Sequence, residues 1–389
     1  MKSTTELDVS SEITDDLLRR GFSRRAFGRL FAVAAAGTTS LPFLSEPGLA
    51  QLSNIGRIPS DAIKINANEF PLGLTPAATA KLVEVAERGN RYQYEEMEDF
   101  MRLIADVEGV PFSQVSAYPG SSLALLHIVL AFSGPDAPLI TVSPGYEAAA
   151  RGAEFIGAEA IRVPLLADGS HDVKKMVAEA KRTSAGLIYV CNPNNPTGST
   201  TTRENIDWLM ANKPSDTKVL IDEAYIHFTD DKPCNDLVGR DDVLVLRTFS
   251  KIYGMAGLRA GYLLAKEELK KKVEGFKSGA LPATAMAAAA EMLRDPKLIA
   301  ERRALSDEIR GDLCAFFDEE GFEYVPSRSF KVMVDTRMPV EKVIAGMRER
   351  KVYVGRPWPE WPTHLRVSLG SAADMTAFKK NFLAVTAGT

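Results

Sequence analysis

Five short apolar runs, at 139–142, 160–163, 187–190, 219–221 and 243–246, alternate with helical or polar stretches and so restrict the folds open to this chain. Runs that are apolar throughout mark strands buried on both faces, and the helical stretches between them supply crossovers. Together they predict an α/β fold with a mostly parallel sheet flanked by helices. Such sheets bind ligands beyond the carboxyl ends of their strands. The polar clusters of this chain fall there: Cys191-Asn192-Pro193-Asn194-Asn195-Pro196-Thr197-Gly198 after the third run, Asp222-Glu223-Ala224-Tyr225 after the fourth, and Thr248-Phe249-Ser250-Lys251 after the fifth.

Upstream, residues 63–73 read as an extended segment with loop punctuation, and Thr75-Pro76 opens a helix expected to run to about 88, with proline in its first turn. A second helix is expected over about 96–107. The continuous apolar stretch 123–132 reads as a buried helix, so Gly120-Ser121-Ser122 marks a helix N-terminus. From about 283 long helices (284–293 and about 296–320) are followed by strands at 324–325, 331–334 and 365–368, which suggests a second, smaller α+β domain. The expected division is a leader over 1–50, an N-terminal segment of the small domain over 51–88, a large domain over 89–283 and the rest of the small domain over 284–389. A chain of 389 residues has ample material for two such cores.

The leader differs in kind from the rest of the chain. Ser23-Arg24-Arg25-Ala26-Phe27-Gly28-Arg29-Leu30 precedes the mildly apolar 31–37, and Gly48-Leu49-Ala50 offers small residues for cleavage. This resembles a twin-arginine export signal, which implies a periplasmic protein; the alternative is a basic leader on a cytoplasmic one. The apolar stretch is shorter than the roughly 20 residues a membrane-spanning helix needs. A net charge of −4 gives no nucleic-acid footprint. Cys191, Cys234 and Cys314 lack metal-ligand spacing, and His127, His171, His227 and His364 are not paired, so no metal is expected. Difficult chemistry in such a chain calls for an organic cofactor.

In the stretch 248–262, Lys251 stands at a strand exit behind two hydroxyl residues, and Arg259 follows it among glycines. That pattern suits an amine held near an anion, such as a Schiff-base lysine beside a phosphate; alone, it also fits a surface turn. With Asn195, Asp222, Tyr225 and the segments from Asn66-Ala67-Asn68-Glu69 to Arg366-Val367-Ser368-Leu369-Gly370, the set resembles the fold-type I pyridoxal-phosphate-dependent aminotransferases, in their histidinol-phosphate and aromatic branch. The resemblance covers essentially the whole chain after the leader, and several separated motifs in one order are more specific than any alone.

The resemblance implies pyridoxal 5'-phosphate as cofactor, with Lys251 as the lysine that carries it and moves a proton at the substrate's Cα. An unperturbed lysine is only about 0.1% neutral near neutral pH, so the site must disfavour the ammonium form. Asp222 would pair with the ring nitrogen, Tyr225 and Asn195 would donate to the ring oxygen, and Tyr146 would stack on the ring. Gly120, Ser121, Ser122, Ser250 and Arg259 would hold the phosphate. Tyr92 would reach the phosphate of a second subunit, which implies a homodimer. Arg366, Arg356 and Asn68 would face the substrate, the fork of Arg366 matching a carboxylate or a phosphate.

The chain departs from the family pattern at Phe70, Gln93, Ser122-Leu123 and Arg328-Ser329-Phe330, all at the rim or substrate side. These changes, and export, weigh against histidinol phosphate as the substrate. The activity implied is transfer of an amino group between an L-amino acid, or a histidinol-phosphate-like amine, and a 2-oxo acid. A decarboxylase, lyase or oxidase on the same scaffold is the alternative enzyme, and a non-catalytic binder of the cofactor or of amino acids is the alternative of another class.

Overall fold

The computed structural model describes residues 11–23, 26, 57–276 and 280–387. The paired arginines Arg24-Arg25, the apolar stretch after them and the expected cleavage region lie outside the described residues. A short helix, α1 (Ser11–Arg19), is followed by β1 (Ile63–Lys64), α2 (Pro76–Ala86) and α3 (Tyr94–Glu108). The alternating region then runs β2 (Val115–Tyr118), α4 (Ser121–Phe132), β3 (Leu139–Ser143), α5 (Ala148–Phe155), β4 (Ala160–Pro164), α6 (Val173–Thr183), β5 (Leu187–Cys191), α7 (Arg203–Asn212), β6 (Lys218–Asp222), β7 (Val243–Thr248), β8 (Gly261–Ala265) and α8 (Glu267–Glu274). After it come α9 (Ala283–Arg294), α10 (Leu298–Glu319), β9 (Tyr324–Val325), β10 (Lys331–Asp335), α11 (Val340–Glu349), β11 (Val352–Tyr353), β12 (His364–Ser368) and α12 (Ala372–Thr386).

The large sheet has seven strands in the order β2-β8-β7-β6-β5-β3-β4. Its β4-β3-β5-β6-β7 portion is parallel, so β3, β5, β6 and β7 point their carboxyl ends the same way. Those strands are buried almost residue for residue, as continuous apolar runs under helices on both faces must be. β8 is the element the apolar runs did not announce: it lies antiparallel between β7 and β2. Its glycine start has a steric reason, since a Cβ on Gly261 would sit 2.6 Å from the backbone nitrogen of Ser121. The smaller sheets place β1 beside β11, and β12-β10-β9 antiparallel.

A buried ion network fixes the ends of the strands that carry the site. Arg247 of β7 donates to Glu223, which follows β6, at 2.6 and 2.9 Å, and to both carboxylate oxygens of Glu108 at the end of α3, at 3.1 and 3.2 Å. Tyr262 of β8 also donates to Glu108. Burial opposes the charge on Arg247, but Glu223 and Glu108 outweigh it and hold the guanidinium above its ordinary value.

Residues ahead of the paired arginines are part of this packing. Leu17 and Phe22 are buried, and Arg20 donates at 2.6 Å to the carbonyls of Leu130 and Ser133 at the end of α4. Asp16 completes the contact by pairing with Arg20 at 3.0 Å and with Lys272 of α8 at 2.7 Å.

Candidate active site

One pocket, with about 600 Å³ of open space, lies beyond the carboxyl ends of β5, β6 and β7 and is lined by residues that include Ser121, Tyr146, Asn195, Asp222, Lys251 and Arg259. Its anion-receiving end is the first turn of α4. Gly120 precedes that turn with φ +88°, a conformation that favours glycine, and a Cβ there would strike the Arg259 guanidinium. Ser121 and Ser122 line the pocket from the same turn, where backbone N–H groups and the helix dipole favour negative charge. Opposite them, Arg259 donates to Ser250 Oγ at 3.2 Å and to the Ala256 carbonyl at 2.9 Å. Arg259 itself has φ +62°, a costly conformation for a non-glycine residue. Burial pulls its pKa down, so an anion in the cradle would be met by a guanidinium short of compensation.

At the opposite end Asp222 closes β6, only 4% exposed. Tyr189 of β5 donates to its Oδ2 at 2.8 Å, and the Ala224 amide to its Oδ1 at 3.1 Å. Burial pushes the carboxyl from 3.8 up to about 6, and the bonds from Tyr189 and Ala224 and the charge of Lys251 offset only part of that rise. Lys251 is 9% exposed, and its Nζ donates to the Asn68 carbonyl at 2.9 Å. Tyr189 was not among the residues expected here. It stands inside an apolar run, where a buried phenol needs a hydrogen-bond partner, and that was its only signal.

Asn68 is fully buried with φ +51° and ties the site together. Its amide nitrogen donates at 3.2 Å both to Asn195 Oδ1 and to Tyr225 Oη, and its Oδ1 accepts from Ser368 Oγ at 2.8 Å. Arg366 of β12 donates to the same Asn195 oxygen at 2.9 Å and to the Asn66 carbonyl. Asn195 therefore accepts on its oxygen side and has donors on its other side, while the bond that Tyr225 Oη accepts directs its own proton elsewhere. Asn68 is thus turned inward, onto the groups that orient these donors.

The remaining expected residues divide. Arg356 is buried, paired with Glu147, and its guanidinium lies 4.2 Å from the centre of the Trp358 ring; that of Arg366 lies 5.1 Å from the same ring. Tyr146 lines the pocket. Tyr92 does not: it is 83% exposed and stacks on Tyr94 at 5.7 Å. Glu147, Trp358 and Lys331, which lies 3.2 Å from the Tyr225 ring centre, are the further side chains that sequence reasoning missed.

These residues fit pyridoxal phosphate. A glycine where a side chain would fill the cradle, three serines and an arginine suit a phosphate, and a buried carboxyl held above its usual range suits a cationic ring nitrogen. Fold and site together define an α/β enzyme of the fold-type I class. Over residues 60–381 the chain matches the family described as aminotransferase class I and II, and it belongs to that family.

It is 30% identical over 363 residues to histidinol-phosphate aminotransferase 2 of Pseudomonas fluorescens, which covers 90% of this chain and 96% of that protein. It is also 30% identical over 327 residues to the aromatic amino acid aminotransferase of Cutibacterium acnes, covering 81% and 90%. The structure of histidinol-phosphate aminotransferase from Sinorhizobium meliloti, in complex with pyridoxal-5'-phosphate, shares the fold at a TM-score of 0.80 and 23% identity, over 88% of this chain and 94% of that one.

The Asp222 environment gives a pH dependence with a definite sign. Because the folded value of about 6 lies above the ordinary 3.8, protonation favours the folded state. The contribution is complete below about pH 4 and is lost as pH rises through about 6. Urea denaturation of the cofactor-free protein is expected to show wild type losing on the order of 3 kcal/mol relative to Asp222→Asn across that window. Parallel pH profiles for the two proteins would contradict the assigned burial effect.

Proposed function

We propose that this protein is a pyridoxal-phosphate-dependent aminotransferase that moves an amino group between an L-amino acid, or a histidinol-phosphate-like amine, and a 2-oxo acid. The observation that carries the reading is the convergence of Lys251, Asp222, Asn195, Tyr225 and the Gly120–Arg259 cradle in one pocket. When bound, pyridoxal phosphate supplies an electron sink for the negative charge that develops at the substrate's Cα.

The chain's own residues do the rest. Lys251 Nζ would take the proton from the substrate's Cα and move it between Cα and the cofactor's C4′. Asp222, ionised when it faces a cationic partner, would keep a proton on the ring nitrogen. Asn195 and Tyr225 would donate to the ring oxygen, Tyr146 would cover one ring face, and Ser121, Ser122, Ser250 and Arg259 would hold the phosphate. Arg366 receives the substrate's anionic group, and its link to Asn195 joins substrate binding to the ring-oxygen donors.

The exposed, stacked Tyr92 supports a homodimer in which each copy lends this tyrosine to the other's phosphate. The Arg24-Arg25 leader supports export by the twin-arginine route to the periplasm. Among the described residues no helix is long and apolar enough to cross a membrane.

Half-transamination with a panel of amino donors, aromatic and basic amino acids and histidinol phosphate included, is expected to convert the bound cofactor to its amine form. Lys251→Ala is expected to lower turnover by about 10³-fold or more. Release of carbon dioxide or consumption of oxygen without amine transfer would instead identify a decarboxylase or oxidase, and unchanged turnover in Lys251→Ala would remove the catalytic assignment. For the dimer, mixing Tyr92→Ala with Lys251→Ala copies is expected to restore activity in hybrids, which carry one intact site; no recovery despite demonstrated subunit exchange would exclude a shared site. Cell fractionation is expected to find the enzyme in the periplasm and the Arg24→Lys, Arg25→Lys double variant in the cytoplasm. Equal distribution of the two would overturn the export reading.

A further inference from the structure

Lys331 is fully buried near the start of β10, in the apolar sequence Phe330-Lys331-Val332-Met333-Val334. A cation there is costly unless it is matched, and an apolar residue would satisfy the strand equally well. The register shows which way it faces. In the antiparallel pairing of β10 with β12, Lys331 stands opposite Ser368 and Met333 opposite Arg366, so all four share one face of the small sheet. Two of them already reach the site, Ser368 through Asn68 and Arg366 through Asn195. Lys331 reaches it as well: Nζ lies 3.2 Å from the centre of the Tyr225 ring and donates to Ser329 Oγ at 2.9 Å.

We propose that Lys331 is a positioning residue for the reaction, whose buried cation, set against the face of the Tyr225 ring, makes the Tyr225 phenol a stronger hydrogen-bond donor to the ring oxygen of the cofactor. The assignment rests on the cofactor reading above. Its physical basis is that a cation over an aromatic face draws on the ring's electron density, and the more so as the phenol loses its proton. The contact is desolvated, where such interactions are strongest. Other groups act on the same phenol without duplicating this one: Lys251 Nζ is 5.6 Å from the ring centre, Asn68 donates to Oη, and Asp222 ends the strand three residues earlier. Around Lys331 itself stand Ser329, the Phe330 ring at 5.8 Å, and the Cys191 thiol, whose ionisation the lysine charge favours against burial.

The test uses the full chain as Lys331→Met and Lys331→Arg, each with and without Tyr225→Phe, and Lys331→Gln as the uncharged variant should the methionine protein fail to fold. In cofactor-free protein, the ultraviolet tyrosinate signal that disappears in Tyr225→Phe reports the ionisation of Tyr225. It is expected to move up by about one pH unit in Lys331→Met and to stay in place in Lys331→Arg. In protein loaded with pyridoxal phosphate, the pH midpoint of the visible band of the lysine-bound cofactor is expected to rise by about half to one unit in Lys331→Met. That rise should shrink to about 0.2 unit or less when Tyr225 is phenylalanine.

An unmoved Tyr225 ionisation in folded Lys331→Met overturns the proposal. So does a midpoint shift of full size in the Tyr225→Phe background, which would mean that Lys331 acts on the cofactor directly. A wild-type protein that develops no visible band with pyridoxal phosphate would count against the cofactor reading, and the tyrosinate titration would still decide whether Lys331 acts on Tyr225.

Discussion

A carboxyl group with almost no contact with water is the constraint on which the rest of this site depends. Asp222 ends β6 in the middle of a parallel sheet, where neighbouring strands exclude solvent, and the bonds from Tyr189 and the Ala224 amide lower the cost of its charge without removing it. The position asks for a cationic partner, and the pocket is proportioned for one at that end and for an anion at the other. The positive groups Lys251 and Arg259 are spread along the same cavity, each tied to a carbonyl or hydroxyl. Polarity along the pocket, negative at β6 and positive at α4, is therefore a property of the sheet's topology as much as of individual side chains.

A second dependence runs across the chain. Asn68 belongs to the segment after β1, Asn195 and Tyr225 to loops of the large sheet, and Ser368 and Arg366 to β12, yet one asparagine side chain bonds to three of these and a shared acceptor links the fourth. These bonds tie Asn195 and Tyr225, the proposed donors to the ring oxygen, to the C-terminal sheet. If Arg366 receives the substrate as proposed, its bond to Asn195 would link the substrate to the proposed ring-oxygen donors.

Sequence patterning reached the parallel strands because burial on both faces leaves continuous apolar runs, and it placed the polar clusters holding Asn195, Asp222, Tyr225 and Lys251 just beyond those runs, while the part expected of each residue came from the family resemblance. The start of α4 was legible from Gly120-Ser121-Ser122. What stayed hidden has a common physical cause: roles set by contacts between segments distant along the chain. β8 begins with glycine because of its closeness to Ser121, which no local pattern reports. Tyr189 resembles any strand aromatic until its neighbour across the sheet is known. The pairing of Arg356 with Glu147, with Trp358 beside it, joins residues more than two hundred positions apart. Lys331 announces itself only as a charge in an apolar strand, and its orientation needs the β10–β12 register.

The helix whose first turn lines the pocket has a partner at its other end. Its first turn is the Gly120-Ser121-Ser122 wall of the pocket, and at its other end the carbonyls of Leu130 and Ser133 accept from Arg20, a residue that precedes the paired arginines. Aligned peptide dipoles leave the last turn of a helix negative, so the guanidinium neutralises one pole while the other faces the pocket. The two poles are about 18 Å apart by the rise of a helix of this length. A polypeptide shortened past Phe22 would present the same pocket lining, yet two carbonyls at the negative pole would have to turn to water, and the helix that lines the pocket would lose the hold on its far end.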